Sequence, residues 1–313
     1  MLNYLIRRVA LAVVVLFGLL VATFFIIHLV PGDPVEIVLG GHAPPAQIAS
    51  VRHQLGLDRP LLSQFGLYLS RMVQGHFGVS FTLGSPVGQI IGQRLGPSAA
   101  LIGYGMLLSV LIGVPLAIFA ALRPNRWLDK AIRVGTTLTF AMPGFWLGLM
   151  LALIFGLELG WFPVSGYSGG IGGIFRTLTL PALALGLALA GVVVRTLRSS
   201  LLEVLQSEYI EAARSRGLSE LRVVGKHALR NSVMNTLTIL SVNVGFLIGG
   251  TVVIEQVFQI PGLGSLLVEA VEKRDYQLVQ TLALLAGSAV VLASLAADLV
   301  QATLDPRVRL AGR

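Results

Sequence analysis

Long uncharged apolar runs alternate with more polar segments along this chain, and the runs are too long for buried strands or for one face of a soluble helix. Six stand out: Val9 to Val30, Pro97 to Leu122, Val134 to Leu157, Leu178 to Val194, Val233 to Ile254 and Leu278 to Ala297. Each approaches or exceeds the roughly 20 helical residues that cross about 30 Å of hydrocarbon, the fourth being the shortest. The pattern predicts an all-α membrane protein with six transmembrane helices. Gly113, Pro115, Pro143 and Gly186 recur inside the runs, which predicts helices that pack closely on one another.

Composition agrees: 55% of the 313 residues are hydrophobic and 12% charged, about half the charged fraction of a soluble domain. Arg7 and Arg8 precede the first run as the basic head of a secretory leader would. The run is too long for a leader core, and Val30, Pro31 and Gly32 offer no small-x-small cleavage pattern, so a retained helix is expected. Lys and Arg gather on one side of the spans, at Arg7, Arg8, Arg123, Arg126, Lys130, Arg133, Arg195, Arg198 and through the segment after it. Positive loops stay in the cytoplasm, so both termini are expected inside. The net charge of +8 then serves topology and anionic headgroups rather than nucleic acid. The absence of cysteine excludes disulfides and thiolate chemistry.

The runs divide the chain into 1–30, an N-terminal tail with the first helix; 31–96, an external segment expected to form a partly helical cap around Leu55, Leu57, Phe65 and Phe77; and 97–313, a five-helix core. Within the core, 161–177 reads as a mobile external loop because of Gly166, Gly169, Gly170, Gly172 and Gly173. The inner segment 199–232 is charged yet patterned as helix. Tyr209, Ile210, Ala212 and Ala213 precede Gly217, which is expected to end a short helix in the left-handed conformation. Ser219 is expected to cap a second helix, with Glu220 in its first turn and Leu218 stapled onto Val223.

Glu211, Ala212 and Ala213, then Gly217, then His227, Ala228 and Leu229 resemble the cytoplasmic signature of permease subunits of binding-protein-dependent ABC importers. Arg230 and Asn231 stand where a proline often closes that signature, a variant similar to the peptide and nickel branch. Further segments resemble the branch in order: Pro31 to Pro34, Leu55 to Pro60, Phe145 to Gly148, Leu159 to Pro163, Pro261 to Gly264 and Leu304 to Arg307.

The resemblance implies a type I importer permease fold and half of a membrane path for di- or oligopeptides. Nickel, haem or another small solute is the alternative cargo. The implied partners are a second homologous permease, two ATPase subunits, an external solute-binding protein and membrane lipid, with no nucleic acid. ATP and Mg belong to the ATPases, no cofactor belongs to this chain, and the location is the bacterial inner membrane. Glu211, Ala212, Ala213, Gly217, Leu218 and His227 become the candidate ATPase-coupling residues, and Pro261, Gly262, Leu263 and Gly264 a candidate outer gate. Small side chains at Ala212 and Ala213 would permit close approach to a groove in the ATPase, and Glu211 would pair with a basic partner.

Other chemistry is sparse. There is no GxxxxGK[ST] loop, and Gly225 with Lys226 lacks both the upstream glycine and the following hydroxyl. Asp298, Glu158 and Glu255 sit near span ends, where a snorkelling or interfacial place is expected; an ion-coupled secondary transporter, the reading from a different class, usually needs buried acids or histidines as relays. His28, Trp146, Trp161 and Phe162 read as interfacial or packing residues.

Overall fold

The computed structural model describes residues 2–29, 44–55, 58–80 and 82–304. In chain order the helices are α1 (Leu2–Leu29), α2 (Pro45–Leu55), α3 (Leu61–Val73), α4 (Val87–Leu122), α5 (Trp127–Ala141), α6 (Gly144–Leu151), α7 (Gly170–Leu205), α8 (Glu208–Ser215), α9 (Leu229–Val257), α10 (Leu263–Glu272) and α11 (Tyr276–Leu304). A π-helical turn, Ala152–Glu158, extends α6, and the turn Glu220–Arg222 followed by a π-helical turn, Val223–Ala228, leads into α9. Strand pairing among the described residues is limited to one bridge between Val79 and Pro86. The side chain of His28, and residues Pro31 to Pro34, Gly56, Leu57 and Asp305 to Arg307, lie outside the described residues.

Four helical stretches are long and apolar enough to cross a membrane: Ile6–Phe25, Val87–Leu122, Gly170–Leu205 and Tyr276–Leu299. The third expected run is instead a broken pair, α5 and α6 with its π turn, bent by 107°. Pro143 is the cause, since its ring disfavours a helical residue before it. Met142 is accordingly extended, at φ −76° and ψ 136°. The fifth run falls in the 29-residue α9, whose apolar stretch among the described residues is Gly245–Val257. By length and composition the described residues therefore give four spans, or five with the bent pair, against the six expected.

The fourth run, shortest in the sequence, lies in the 36-residue α7. That helix starts at Gly170, so Gly170, Gly172 and Gly173 belong to its first turns and only the earlier part of 161–177 is loop. A Cβ on Gly173 would meet the Ser168 carbonyl oxygen at 2.6 Å. This glycine serves close backbone approach rather than mobility.

α4 and α7 form the axis of the molecule. Their contact depends on missing side chains: a Cβ on Gly186 would lie 2.6 Å from the Gly105 carbonyl oxygen, and one on Gly113 2.8 Å from Val193. Close backbone approach at small residues is how helices associate where no hydrophobic effect drives them together. Gly186→Ala should therefore separate the pair at a cost of about 1–3 kcal/mol, read as a lower thermal midpoint for the purified protein. An unchanged midpoint would show that the crossing relaxes freely.

Four apolar clusters are strung along α4, the smallest joining Ala120 to Ile132 and Val194. Val87, Ile90 and Ile91 pack with Leu266, Ala270, Leu278 and Leu282 at one end. Leu101 joins Leu178, Leu185, Leu247, Ile254 and Phe258 in the middle. Ala117 and Ala121 meet Leu197, Leu201, Ile210 and Val223 at the other end. From Ile91 to Ala117 the helix rises by about 40 Å, so the clusters at Ile91 and Ala117 occupy opposite ends of the bundle.

α1 lies along α11, where Gln280 Nε2 donates to the Thr23 carbonyl at 2.9 Å. α3 covers α1, with Phe65 edge-on to Phe24 at 5.2 Å between ring centres and Tyr68 hydroxyl 3.0 Å from Thr23 Oγ1.

Candidate functional site

At the Ala117 end, α7 runs on to Leu205 and the chain turns through Ser207 into α8. The short helix is fixed by its inward face, where Ile210 is fully buried and Ala213 nearly so in the cluster with Leu197, Leu201, Val223 and Ala228. Its carboxyl end closes as expected: Gly217 has φ 78°. Gly217 N–H donates to Arg214 O at 2.9 Å and Leu218 N–H to Ala213 O at 3.3 Å. This pairing is a Schellman closure, and Leu218 packs against the same cluster as its apolar closing contact.

The second helix begins differently from the expectation. Ser219 sits at the cap position, but its side chain makes no capping hydrogen bond. The backbone does the work instead, with Arg222 and Val223 N–H both donating to Ser219 O at 2.9 Å. Glu220 pairs across the bend with Arg214, whose Nε lies 2.6 Å from Oε1. His227 is half-buried in the π turn before α9. Asn231 Nδ2 donates to Tyr209 hydroxyl at 2.7 Å and ties α8 to α9.

The two alanines of the signature face opposite ways. Ala213 is buried against its own chain, while Ala212 is exposed beside Glu208, Tyr209, Glu211 and Ser215. Ala213 therefore sets how closely α8 seats on the π turn Val223–Ala228, and the outward face is left to Glu211 and Ala212. Leu221, 89% exposed, extends that face beyond the bend.

Pro261, Gly262, Leu263 and Gly264 lie at the opposite end, where α9 turns into α10. Gly262 precedes α10 at φ −107°, and Ser265 Oγ accepts its N–H at 3.0 Å. The glycines are needed for space rather than for positive φ: a Cβ on Gly262 would lie 2.3 Å from the Glu255 carboxyl carbon, and one on Gly264 2.5 Å from Val252 Cα.

Glu255 corrects the interfacial expectation, because it is fully buried. Ser98 Oγ donates to its Oε1 at 2.5 Å and Ser265 N–H to its Oε2 at 2.9 Å. Asp275, which no motif or spacing in the sequence singles out, is also buried at this end. Its Oδ2 accepts from Ser80 Oγ at 2.5 Å and Thr82 Oγ1 at 2.8 Å, which fastens the turn before α4 to the start of α11. Asp298 lies 3.1 Å from Arg8, and Glu158 is exposed. Trp161 is exposed with its ring 5.5 Å from Phe155, and Phe162 lies against the central cluster.

Comparison with known proteins agrees with this geometry. A model of the family described as the inner membrane component of binding-protein-dependent transport systems matches residues 113–310, and its N-terminal companion matches 1–101. The chain is 40% identical over 309 residues to the glutathione transport system permease protein GsiC of Escherichia coli K12, covering 99% of both. It is 40% identical over 312 residues to the protein of the same name from Salmonella typhi, again covering 99% of both. Its fold is similar to that of a chain in the inward-facing MetNI methionine ABC transporter, with a TM-score of 0.59 at 17% identity, covering 70% of this chain and 98% of that one.

The fold is thus that of a type I importer permease, an integral membrane transport subunit rather than an enzyme. The chain belongs to the family of inner membrane components of binding-protein-dependent transport systems, in its peptide and nickel branch. It is a multi-pass protein of the inner membrane.

Proposed function

We propose that this chain forms half of the translocation path of an ATP-driven importer of short peptides and couples to separate ATPase subunits through residues 208–218. The observation that carries the reading is the seating of α8. Ile210 and Ala213 bind the helix to its own chain, which leaves Glu208, Tyr209, Glu211 and Ala212 as a rigid outward face. A short helix so anchored transmits a push into α7 and α9, to which it is tied by the shared cluster and by the Tyr209–Asn231 hydrogen bond.

The partners in this reading are a second permease, two ATPases holding ATP and Mg, and an external binding protein that delivers cargo. This chain has no loop that cradles phosphates. Peptide cargo is supported by the full-length relatives named for glutathione, itself a tripeptide. Solute enters at the α10 end, where Pro261, Gly262, Leu263 and Gly264 support the outer gate, and leaves at the α8 end.

Both termini and α8 face the cytoplasm. Because the chain has no cysteine, Ser165→Cys and Ser219→Cys can be labelled singly; both positions are exposed. An impermeant thiol reagent outside intact cells should label Cys at 165 and miss Cys at 219. In inside-out vesicles the second should label freely and become protected once ATPases are bound. The reverse sidedness would overturn the orientation, and unprotected labelling with ATPases bound would remove the docking site.

A further inference from the structure

Glu255 sits near the end of α9, and its carboxyl group is enclosed by two other helices. Oε1 accepts from Ser98 Oγ of α4 at 2.5 Å. That hydroxyl in turn accepts the Leu263 N–H of α10 at 2.7 Å. Oε2 accepts the Ser265 N–H at 2.9 Å, and the Gly264 N–H is directed to the same carboxyl group. The first N–H groups of a helix have no partner within it. Those of α10 end on two side chains contributed by α4 and α9.

Open volume borders this knot on both sides. An apolar cavity of about 160 Å³ is lined by Ser98, Val252, Leu263, Gly264, Leu282 and Leu285. A polar hollow of about 330 Å³ is lined by Arg94, Glu255, Gln259, Ser265, Glu269 and Glu272. A close-packed interior resists rearrangement, whereas a helix tied at one end between two hollows can swing about that end.

We propose that Glu255, together with Ser98, is the positioning residue of the outer gate: it makes α10 move as one body with the end of α9, and the Ser98 hydroxyl is the pivot through which α4 sets the position of that body. The proposal rests on the gate reading of Pro261 to Gly264 and adds two residues outside the turn. Gly262 and Gly264 serve the knot by giving the carboxyl group its space, as the contacts of their absent side chains show.

The test uses the assembled complex with its partner permease, ATPases and binding protein. Ser98→Ala and Glu255→Gln should each lower ATP-driven uptake about five- to tenfold, and the double variant should be no worse than the poorer single, as expected for members of one unit. Retention of the ATPases and basal ATP hydrolysis should stay within about twofold of the wild type, since the coupling helix is at the other end. Normal uptake in both single variants, or losses that multiply in the double, would overturn the proposal.

Hydrogen exchange on the unmodified complex gives a readout that does not depend on the variants folding. The Leu263, Gly264 and Ser265 amides should exchange as slowly as the interior of α10, and rapid exchange at these positions would also overturn it. Pro261→Ala separates the two readings. Normal uptake there alongside losses at Ser98 and Glu255 removes the turn from the gate and keeps the pivot. A loss there with normal uptake in the other two variants removes the pivot alone.

Discussion

Ala212→Trp is expected to abolish ATP-driven uptake while the permease remains folded, whereas Ala213→Asp is expected to prevent folding of the inner helix pair. The neighbouring positions differ because Ala212 is exposed on the outward face of α8 and Ala213 is enclosed with Ile210, Leu197, Leu201 and Val223. An indole on the outward face would hold the ATPase groove off α8; a tenfold loss of affinity corresponds to about 1.4 kcal/mol, and the bulk added here should exceed that. A carboxylate at position 213 would be buried without a partner, at a cost of several kcal/mol. Expression, gel-filtration profile, ATPase co-purification and uptake on the same preparations separate the two effects. Ala212→Trp with normal ATPase retention and uptake would move the docking surface elsewhere.

Arg198→Ala should be the most damaging single change among the charged residues. Arg198 on α7 grips Asp129 on α5 with Nε to Oδ1 and Nη2 to Oδ2, both 2.7 Å, and Asp129 also accepts the Asn125 N–H at 2.8 Å. The carboxylate is fully buried. Removing one partner of such a pair typically costs about 3–5 kcal/mol, because the other is left buried and uncompensated. The lower thermal midpoint should be accompanied by new proteolytic sensitivity in the α4–α5 turn. Replacing both residues, as Asp129→Leu with Arg198→Met, should recover much of the loss. A single variant as stable as the wild type would show that water reaches Asp129.

Much of this architecture can be read from the sequence, because lipid imposes a simple rule on it. Uninterrupted apolar runs located α1, α4, α7 and α11, and Gly217 announced the end of α8 through the left-handed conformation, which glycine adopts more easily than any other residue. The bend at Pro143 was visible as a residue but not as a break, since proline is tolerated in many membrane helices when neighbours satisfy the freed backbone groups.

The direction of Ala213 was not legible, as two adjacent alanines look alike until the cluster around Ile210 decides which one turns inward. Glu255 and Asp275 were hidden for a related reason. Their partners, Ser98 and Ser80, lie 157 and 195 residues away in the chain. One signal was available for Glu255: an acidic residue at the end of an apolar run, followed by a glycine-containing turn into a new helix, is placed to meet that helix's amino end.

The pairing of chain and energy source is tested most directly by reconstitution. Proteoliposomes carrying this permease, its partner permease, the ATPases and the binding protein should accumulate labelled glutathione or a short peptide when ATP is supplied on the α8 side. They should accumulate none without ATP or with the ATPases omitted. Uptake by the permease alone under an ion gradient, at the rate seen with the full assembly and ATP, would contradict the account.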